Sequence, residues 1–464
     1  MAETYDVSEA LKAGQTLAVA DRILIDPEPG TLVARVDELL AAIQDGGGDQ
    51  ACKTLIQLGM NFVGRDAEIV GYGSDEIDGA LDRVLSAIDG LQGEAASAME
   101  AVVDSFLSDM KSVNMADSLS GLLAERIEGG LDAGNPGRSF LILLKEHMRS
   151  GVYWQMIGED VCKFGNDFAR GLEYLRHYGF CQVSTNPVLA AKAFDEDALL
   201  WDELRVEVDK HADWKADPEG NADEIVMAAT LIALWPNLSI FRPLALFTAL
   251  KDYMVSFQLN PNIADQADAS IEDARNAHTL AADYLKEYDR MLGLDDNAGA
   301  LDPNIVFKVG GGFEAARKIT TVLNSEGIGT NNTVVYTVAQ EVQLVLDAFE
   351  GKAKAAQEGR PVVRTYETNM GGRFVSHLRE VEVEKLFASV ASRAGEDKAH
   401  ELLDALAESV GVDDDTRQGL ASASVADKAQ TFGSYGVLKS LDNEAVLEAA
   451  EAAGQSRDAI LQLE

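Results

Sequence analysis

Lys308 closes a short apolar run, Ile305-Val306-Phe307, and is followed at once by Val309 and the glycines Gly310, Gly311 and Gly312. An ammonium held in a low-dielectric strand environment is costly, so a lysine in such a place tends to stay neutral and can attack a carbonyl to form a Schiff base. The other reading is a strand-end lysine whose stem covers apolar surface while its head reaches water. Two more polar clusters border apolar runs. The first is Val183-Ser184-Thr185-Asn186-Pro187, where a strand-end asparagine either offers a fixed amide or opens an Asn-Pro turn. The second, Glu326-Gly327-Ile328-Gly329-Thr330-Asn331-Asn332-Thr333, lies one helical segment beyond Lys308. Three strand units thus deliver Asn186, Lys308, and Asn331 with Thr333 toward one face, and parallel barrels place their chemistry at that strand end. The glycine run has neither a Walker nor a dinucleotide pattern and reads as a tight strand-to-helix turn. The scattered histidines form no ligand pair, and Trp154, Trp201, Trp214 and Trp235 read as packing residues.

The elements that must position these residues alternate in type. From about Gly151 onward, short β-rich runs at 152–157, 180–184, 253–259, 304–309, 333–337 and 362–366 are separated by helical stretches such as 267–285 and 313–323, the signature of βαβ units. Before them, Leu32, Val33, Val36, Leu39, Leu40 and Ile43 recur at helical spacing, as do Leu81, Val84, Leu85, Ile88 and Leu91. The expected organisation is an N-terminal helical domain over 1–147, a barrel core over 148–385, and a helical C-terminal region over 386–464. Strands seven and eight are not evident, and Ser434-Tyr435-Gly436-Val437-Leu438 is the one faint candidate.

The 78 acidic residues against 39 basic ones give a net charge of -39, which repels nucleic acid and anionic membrane surfaces. Cys52, Cys162 and Cys181 are too widely spaced for a metal site and read as thiols in a reducing compartment. The first residues carry no leader pattern, and no apolar run reaches membrane-spanning length, so a cytoplasmic, soluble protein is expected.

At this point the chain resembles the transaldolase family. Val183-Ser184-Thr185-Asn186-Pro187, the strand from Ile305 to Lys308, the block from Glu326 to Thr337 with Ala339-Gln340, and Tyr253 to Pro261 leading into Ala274-Arg275 match that family's motifs in order and spacing, over about residues 152–379. The resemblance implies an α/β fold, a (β/α)8 TIM barrel of transaldolase type. It implies transfer of a dihydroxyacetone unit between sugar phosphates through a Schiff base on Lys308, as in pentose phosphate metabolism, with no metal or organic cofactor. The substrate would be a sugar phosphate or small ketose, and a homodimer is the family-level expectation. Asn186 and Asn331 would bind the three-carbon hydroxyls, and Ser184 and Thr333 would orient the lysine or a water. Gln258 stands where the family has a third-strand glutamate, and Met156 where it has a first-strand acid/base aspartate; Glu159 and Asp160, just beyond, either compensate for the missing carboxylates or form a helix N-terminal pair. Phosphate would be held by Arg373 or by His377, the latter in the family's arginine position. The alternative reading is a catalytically impaired protein of this fold that binds a ligand or serves in assembly.

Overall fold

The helical spacing of the first 150 positions is realised as helices from Val7 to Arg149, among them Leu32–Gly46, Gly48–Val63, Ser74–Asp89 and Pro136–Arg149. The last of these opens with Asn135, whose side chain accepts from Arg138 N, and Pro136, whose fixed φ suits a first helical turn. These helices and the strands that follow share one apolar core, in which Val36, Leu58 and Phe140 belong to the same cluster as Val183, Phe257 and Phe307. The structure is a computed structural model that describes residues 6–46, 48–112, 118–167, 170–294 and 301–462.

Six strands lie in sequence order in one sheet: β1 (Gly165–Asn166), β2 (Gln182–Ser184), β3 (Met254–Gln258), β4 (Ile305–Gly310), β5 (Gly329–Val335) and β6 (Tyr366–Asn369). Helices cross between successive strands, and the ladders from β1 to β5 are parallel, as a βαβ pattern requires. The fold is therefore an α/β barrel type carrying six of eight strands; no seventh or eighth occurs among the described residues. The faint candidate at 434–438 is a turn, because Val437 and Leu438 both donate backbone N–H groups to the Ser434 carbonyl, at 2.9 and 2.8 Å.

The chain divides into two compact units, 1–335 with 339–368 and 336–338 with 369–464. The second is helical, built on Gly371–Ala394, Glu396–Ser409, Val425–Phe432 and Glu444–Ala452. Its own core contains Leu386, Phe387, Val390, Leu402, Leu403, Phe432 and Val446.

Three expectations are corrected. Residues 152–157 are not a strand but part of the helix Val152–Gly158: Tyr153 and Ile157, one turn apart, and Trp154 pack on the core, and the Arg65 guanidinium lies 3.9 Å over the Trp154 ring. The first strand is β1 instead. Glu159 and Asp160 consequently follow a helix C-terminus rather than opening a helix, with Asp160 in the left-handed region at φ 54. Finally, the helix Ala222–Phe247 is long and apolar enough to cross a membrane by length and composition. It runs straight through Pro236 and Pro243, which in sequence look like stops. It is largely buried, and its Arg242 makes a two-pronged pair with Asp289, both bonds at 2.7 Å, and donates to the Asp302 carbonyl at 2.8 Å.

A second buried arginine ties the N-terminal helices to the sheet. Arg176, on the helix Leu172–Tyr178 that leads into β2, donates to Asp21 Oδ2 at 2.7 Å and Oδ1 at 3.0 Å, to Asn61 Oδ1 at 2.7 Å and to the Ile240 carbonyl at 2.7 Å. Its Nε also lies 2.8 Å from Asp66 Oδ1, an ion pair outside hydrogen-bond angles, and His177 Nδ1 lies 2.5 Å from Asp66 Oδ2. Burial alone would raise Asp66, but His177 and Arg176 outweigh it and hold its carboxyl below the usual range. Removing one partner from such a cluster leaves a buried carboxylate uncompensated. Arg176→Met should therefore lower unfolding free energy by about 3–5 kcal/mol in urea titrations, whereas replacing a surface arginine such as Arg83 should cost under about 1 kcal/mol.

Candidate active site

Alternation along β4 sends Ile305, Phe307 and Val309 to one face of the sheet and Val306 and Lys308 to the other. Lys308 is half-buried, and its Nζ donates to Ser184 Oγ at 3.0 Å, reaching past β3 to β2. The ladder registers explain the meeting. Gln258 is level with Lys308, Lys308 with Asn331, and Ser184 with Ser256, so these side chains occupy two adjacent rungs of one face. On that face Asn331 Nδ2 donates to Ser256 Oγ at 3.0 Å, and Thr368 Oγ1 on β6 donates to Asn331 Oδ1 at 2.6 Å. A band of hydroxyls and amides thus runs from β2 to β6 around the lysine. Asn331 is fully buried and engaged at both ends, so its amide is fixed in orientation while one N–H and one lone pair remain for a further partner.

The other face of β5 is polar as well. Thr320 Oγ1 donates to Asn332 Oδ1 at 2.8 Å, Asn332 Nδ2 donates to Glu367 Oε1 at 2.7 Å, and Asn324 Nδ2 donates to Thr330 Oγ1 at 3.0 Å. Polar residues on both faces explain why the sequence pattern displaces this strand to 333–337, and the polar Tyr366-Glu367-Thr368-Asn369 likewise hides β6 behind the run at 362–366. At the end of β5, Val334 sits at φ 59 beside Thr333. A β-branched residue in the left-handed region is strained by about 1–3 kcal/mol.

Only one glycine of the 310–312 run is demanded by space. A Cβ on Gly311 would lie 2.7 Å from Val335 Cγ2 and 3.1 Å from the Thr333 carbonyl, to which Gly311 N donates at 2.7 Å, whereas one on Gly312 would meet nothing. The run packs the end of β4 against β5, as expected of a tight turn.

Asn186 caps the helix Pro187–Glu196, its Oδ1 accepting from Leu189 N at 3.1 Å. The turn and the fixed amide are therefore one structure, because the cap aims the remaining NH2 group. Thr333, almost fully buried, is level with Gly310 at the end of β4. Arg373 and His377 belong to the second unit, exposed on the helix Gly371–Ala394, while Lys308, Ser184, Asn331 and Gln258 belong to the first.

Relocating the first strand brings in a residue that the sequence pattern concealed. Asn166 is level with Val183 and ends the ladder, and Asp167 is the residue just beyond it, as Ser184, the hydroxyl that accepts from Lys308, is the residue after Val183. Buried Asn166, with its Nδ2 donating to the Arg170 carbonyl at 3.1 Å, faces the opposite way, and Asp167 is exposed. Met156 is on a helix and plays no part in the sheet. The signal available in sequence was the Asp placed 17 residues before Ser184, just ahead of a helix that leads into β2.

The sequence model of the Transaldolase/Fructose-6-phosphate aldolase family matches residues 165–410, beginning at the first residue of β1. A transaldolase of Acidothermus cellulolyticus is 26% identical over 217 residues, 47% of this chain and 50% of that protein. A transaldolase of Neisseria gonorrhoeae is 27% identical over 184 residues, 40% of this chain and 44% of that protein. The chain spans about half the length of these curated relatives.

Glu367 offers a test of the packing behind the site. Burial pushes its carboxyl up to about 7, against the Asn332 hydrogen bond, and Glu341 adds to the rise while Lys352 opposes it. A carboxyl raised on folding favours the folded state below its ordinary range of about 4.5, and that contribution is lost as pH climbs through about 7. Glu367→Gln should therefore leave stability unchanged near pH 5 and raise it at pH 8 by the order of 1 kcal/mol, after allowing for solvent screening. Denaturant midpoints at the two pH values would show it; an equal shift at both would place the charge elsewhere.

Proposed function

The chain belongs to the transaldolase/fructose-6-phosphate aldolase family, and on that premise we propose that it cleaves and transfers a dihydroxyacetone unit between sugar phosphates through a Schiff base on Lys308. The observation that carries this reading is the Lys308 Nζ to Ser184 Oγ hydrogen bond at 3.0 Å, set in a polar band on one face of the parallel strands. In the proposed sequence the Lys308 amine adds to the ketose C2 carbonyl and water leaves, giving a protonated imine. A base takes the C4 hydroxyl proton, the C3–C4 bond breaks, its electron pair moves into the imine as an enamine, and the aldose departs. The enamine then adds to the carbonyl of an acceptor aldose, and water releases the product and restores the amine.

Each residue has a proposed task. Asp167 is the acid/base at the end of β1, replacing the assignment that fell on Met156. Ser184 aims the lysine and accepts or passes a proton through its hydroxyl. Asn186 and Asn331 hold the three-carbon hydroxyls with amides whose orientation is already fixed by a helix cap and by Ser256 and Thr368. Thr333 orients a water, and Gln258, level with Lys308, positions water without exchanging a proton. Of the two anion-binding candidates, both on the second unit, Arg373 presents a forked guanidinium and His377 a single ring, and the guanidinium is the better phosphate ligand.

A second reading rests on Gln258. With an amide where a titratable group would relay protons, the lysine could trap a ketose without releasing it, and the protein would then act as a binder. Incubation with fructose 6-phosphate or dihydroxyacetone followed by borohydride should leave a stable adduct on Lys308 by mass spectrometry, absent in Lys308→Met. Absence of any adduct at saturating ketose would overturn both readings. Asp167→Asn should keep the dihydroxyacetone adduct but cut transfer to an aldose acceptor by about 10²–10⁴-fold, the usual contribution of a general acid/base. An adduct with no transfer in the unsubstituted protein would favour the binder.

A further inference from the structure

The face of β5 and β6 turned away from Lys308 carries a polar layer that the proposed chemistry does not use. Asn332 sits at its centre, accepting from Thr320 Oγ1, on the helix Ala315–Ser325, at 2.8 Å and donating to Glu367 Oε1, on β6, at 2.7 Å. Glu367 is the odd member of this layer. Its second oxygen, Oε2, is buried with no hydrogen-bond partner among the described residues, and an oxygen closed to water in this way is costly once the carboxyl ionises.

β6 gives that carboxyl leverage over the site. Its four residues have a strand neighbour on one side only, β5, among the described residues. The stretch just before it is anchored without Glu367. Arg364 N donates to the Leu250 carbonyl at 3.2 Å, its guanidinium donates to Asp252 Oδ1 at 3.0 Å, and Thr365 Oγ1 donates to Asn324 Oδ1 at 2.7 Å. Beyond these anchors, side chains of β6 bond to β5 on both faces: Glu367 holds Asn332, and the next residue, Thr368, donates to Asn331 at 2.6 Å. Successive residues of a strand face opposite ways, so the two bonds clasp β5 from its two sides. Releasing the Glu367 side lets the end of β6 swing, and the Asn331 amide then loses the donor that fixes its oxygen.

We propose that Glu367 is a positioning residue for the Lys308 site, holding the end of β6 so that Thr368 keeps the Asn331 amide aimed at the bound three-carbon unit. This rests on the Schiff-base reading given above. Charge decides when the clasp holds. Besides Asn332, the groups acting on the carboxyl are Glu341 and Lys352, both on the helix Val338–Gln357, and Arg364 acts in turn on Lys352. Burial, the largest influence, lifts the carboxyl to about 7, so it is mostly neutral and stays in the layer at pH 6, whereas at pH 8 it is mostly ionised and is driven toward water.

Trapping of dihydroxyacetone on Lys308 of the full chain by cyanoborohydride, read by mass spectrometry over a range of ketose concentrations, reports the hold of Asn331. Thr368→Val and Glu367→Ala should each raise the concentration for half-maximal adduct about five- to tenfold, and the double variant should be no worse than either, because both act along one path. Glu367→Gln keeps an oxygen for Asn332 and cannot ionise. It should match the unsubstituted protein at pH 6 and trap about three- to fivefold more tightly than it at pH 8, a comparison that needs no destabilised variant. A merely structural glutamate would give additive losses and a ratio to the Gln variant that pH does not move. Either of those results, with an adduct on the unsubstituted protein, would overturn this proposal alone; no adduct at saturating dihydroxyacetone would overturn the Schiff-base reading and this proposal with it.

Discussion

The buried ionic cluster around Arg176 is the constraint on which the first unit turns. One guanidinium takes both oxygens of Asp21, an oxygen of Asn61 and the Ile240 carbonyl, while Asp66 faces both Arg176 and His177. Each partner belongs to a different segment: Thr16–Asp21, Gly48–Val63, Asp66–Ile69 and Ala222–Phe247. With charges this deep, the geometry is all-or-none, because any partner that drifts strands another in low dielectric. Arg176 sits on the helix that feeds β2 and therefore Ser184, and Ile240 on the helix that feeds β3 and therefore Ser256. The N-terminal helices are thus part of the frame that fixes two hydroxyls of the lysine's face.

The same logic of fixed polar groups continues in the sheet. Parallel registers put Ser184 beside Ser256 and Lys308 between Gln258 and Asn331, and the alternation of β5 assigns Asn331 to one face and Thr330 and Asn332 to the other. Most of these groups are held by another side chain, so their orientation is set before a substrate arrives. Arg242 and Asp289 do for the helices behind β3 what the Arg176 cluster does in front of β2.

Much of this was legible in the residues. Lys308, Ser184 and Asn331 lie in strands whose apolar runs or flanking motifs are strong; β2 and β3 fall inside the expected runs, and β4 overruns its own by Gly310. Where the reading slipped, the strand itself lacked apolar content. Gly165 and Asn166 give no β signal, while the apolar stretch just before them, with Tyr153 and Ile157 one turn apart, belongs to a helix. That single displacement hid Asp167. β5 and β6 are polar because both of their faces carry hydrogen-bonded side chains, a tertiary property that a two-residue period cannot report. The helix through Pro236 and Pro243 was hidden by the usual meaning of proline, overridden here by the burial of most of the helix around them, Pro243 included.

A sheet of six strands in line, unlike a closed ring, has two margins. Along β1 and β6 the ladder stops among the described residues, and each margin is a row of peptide groups that another extended chain could copy. The protein's protection against such copying is economy. β1 offers only two residues, and β6 offers four, of which Glu367 brings a carboxylate. Lengthening either margin with apolar residues would therefore trade solubility for nothing the lysine's face requires, and self-association by strand addition is the failure to look for when these two segments are altered.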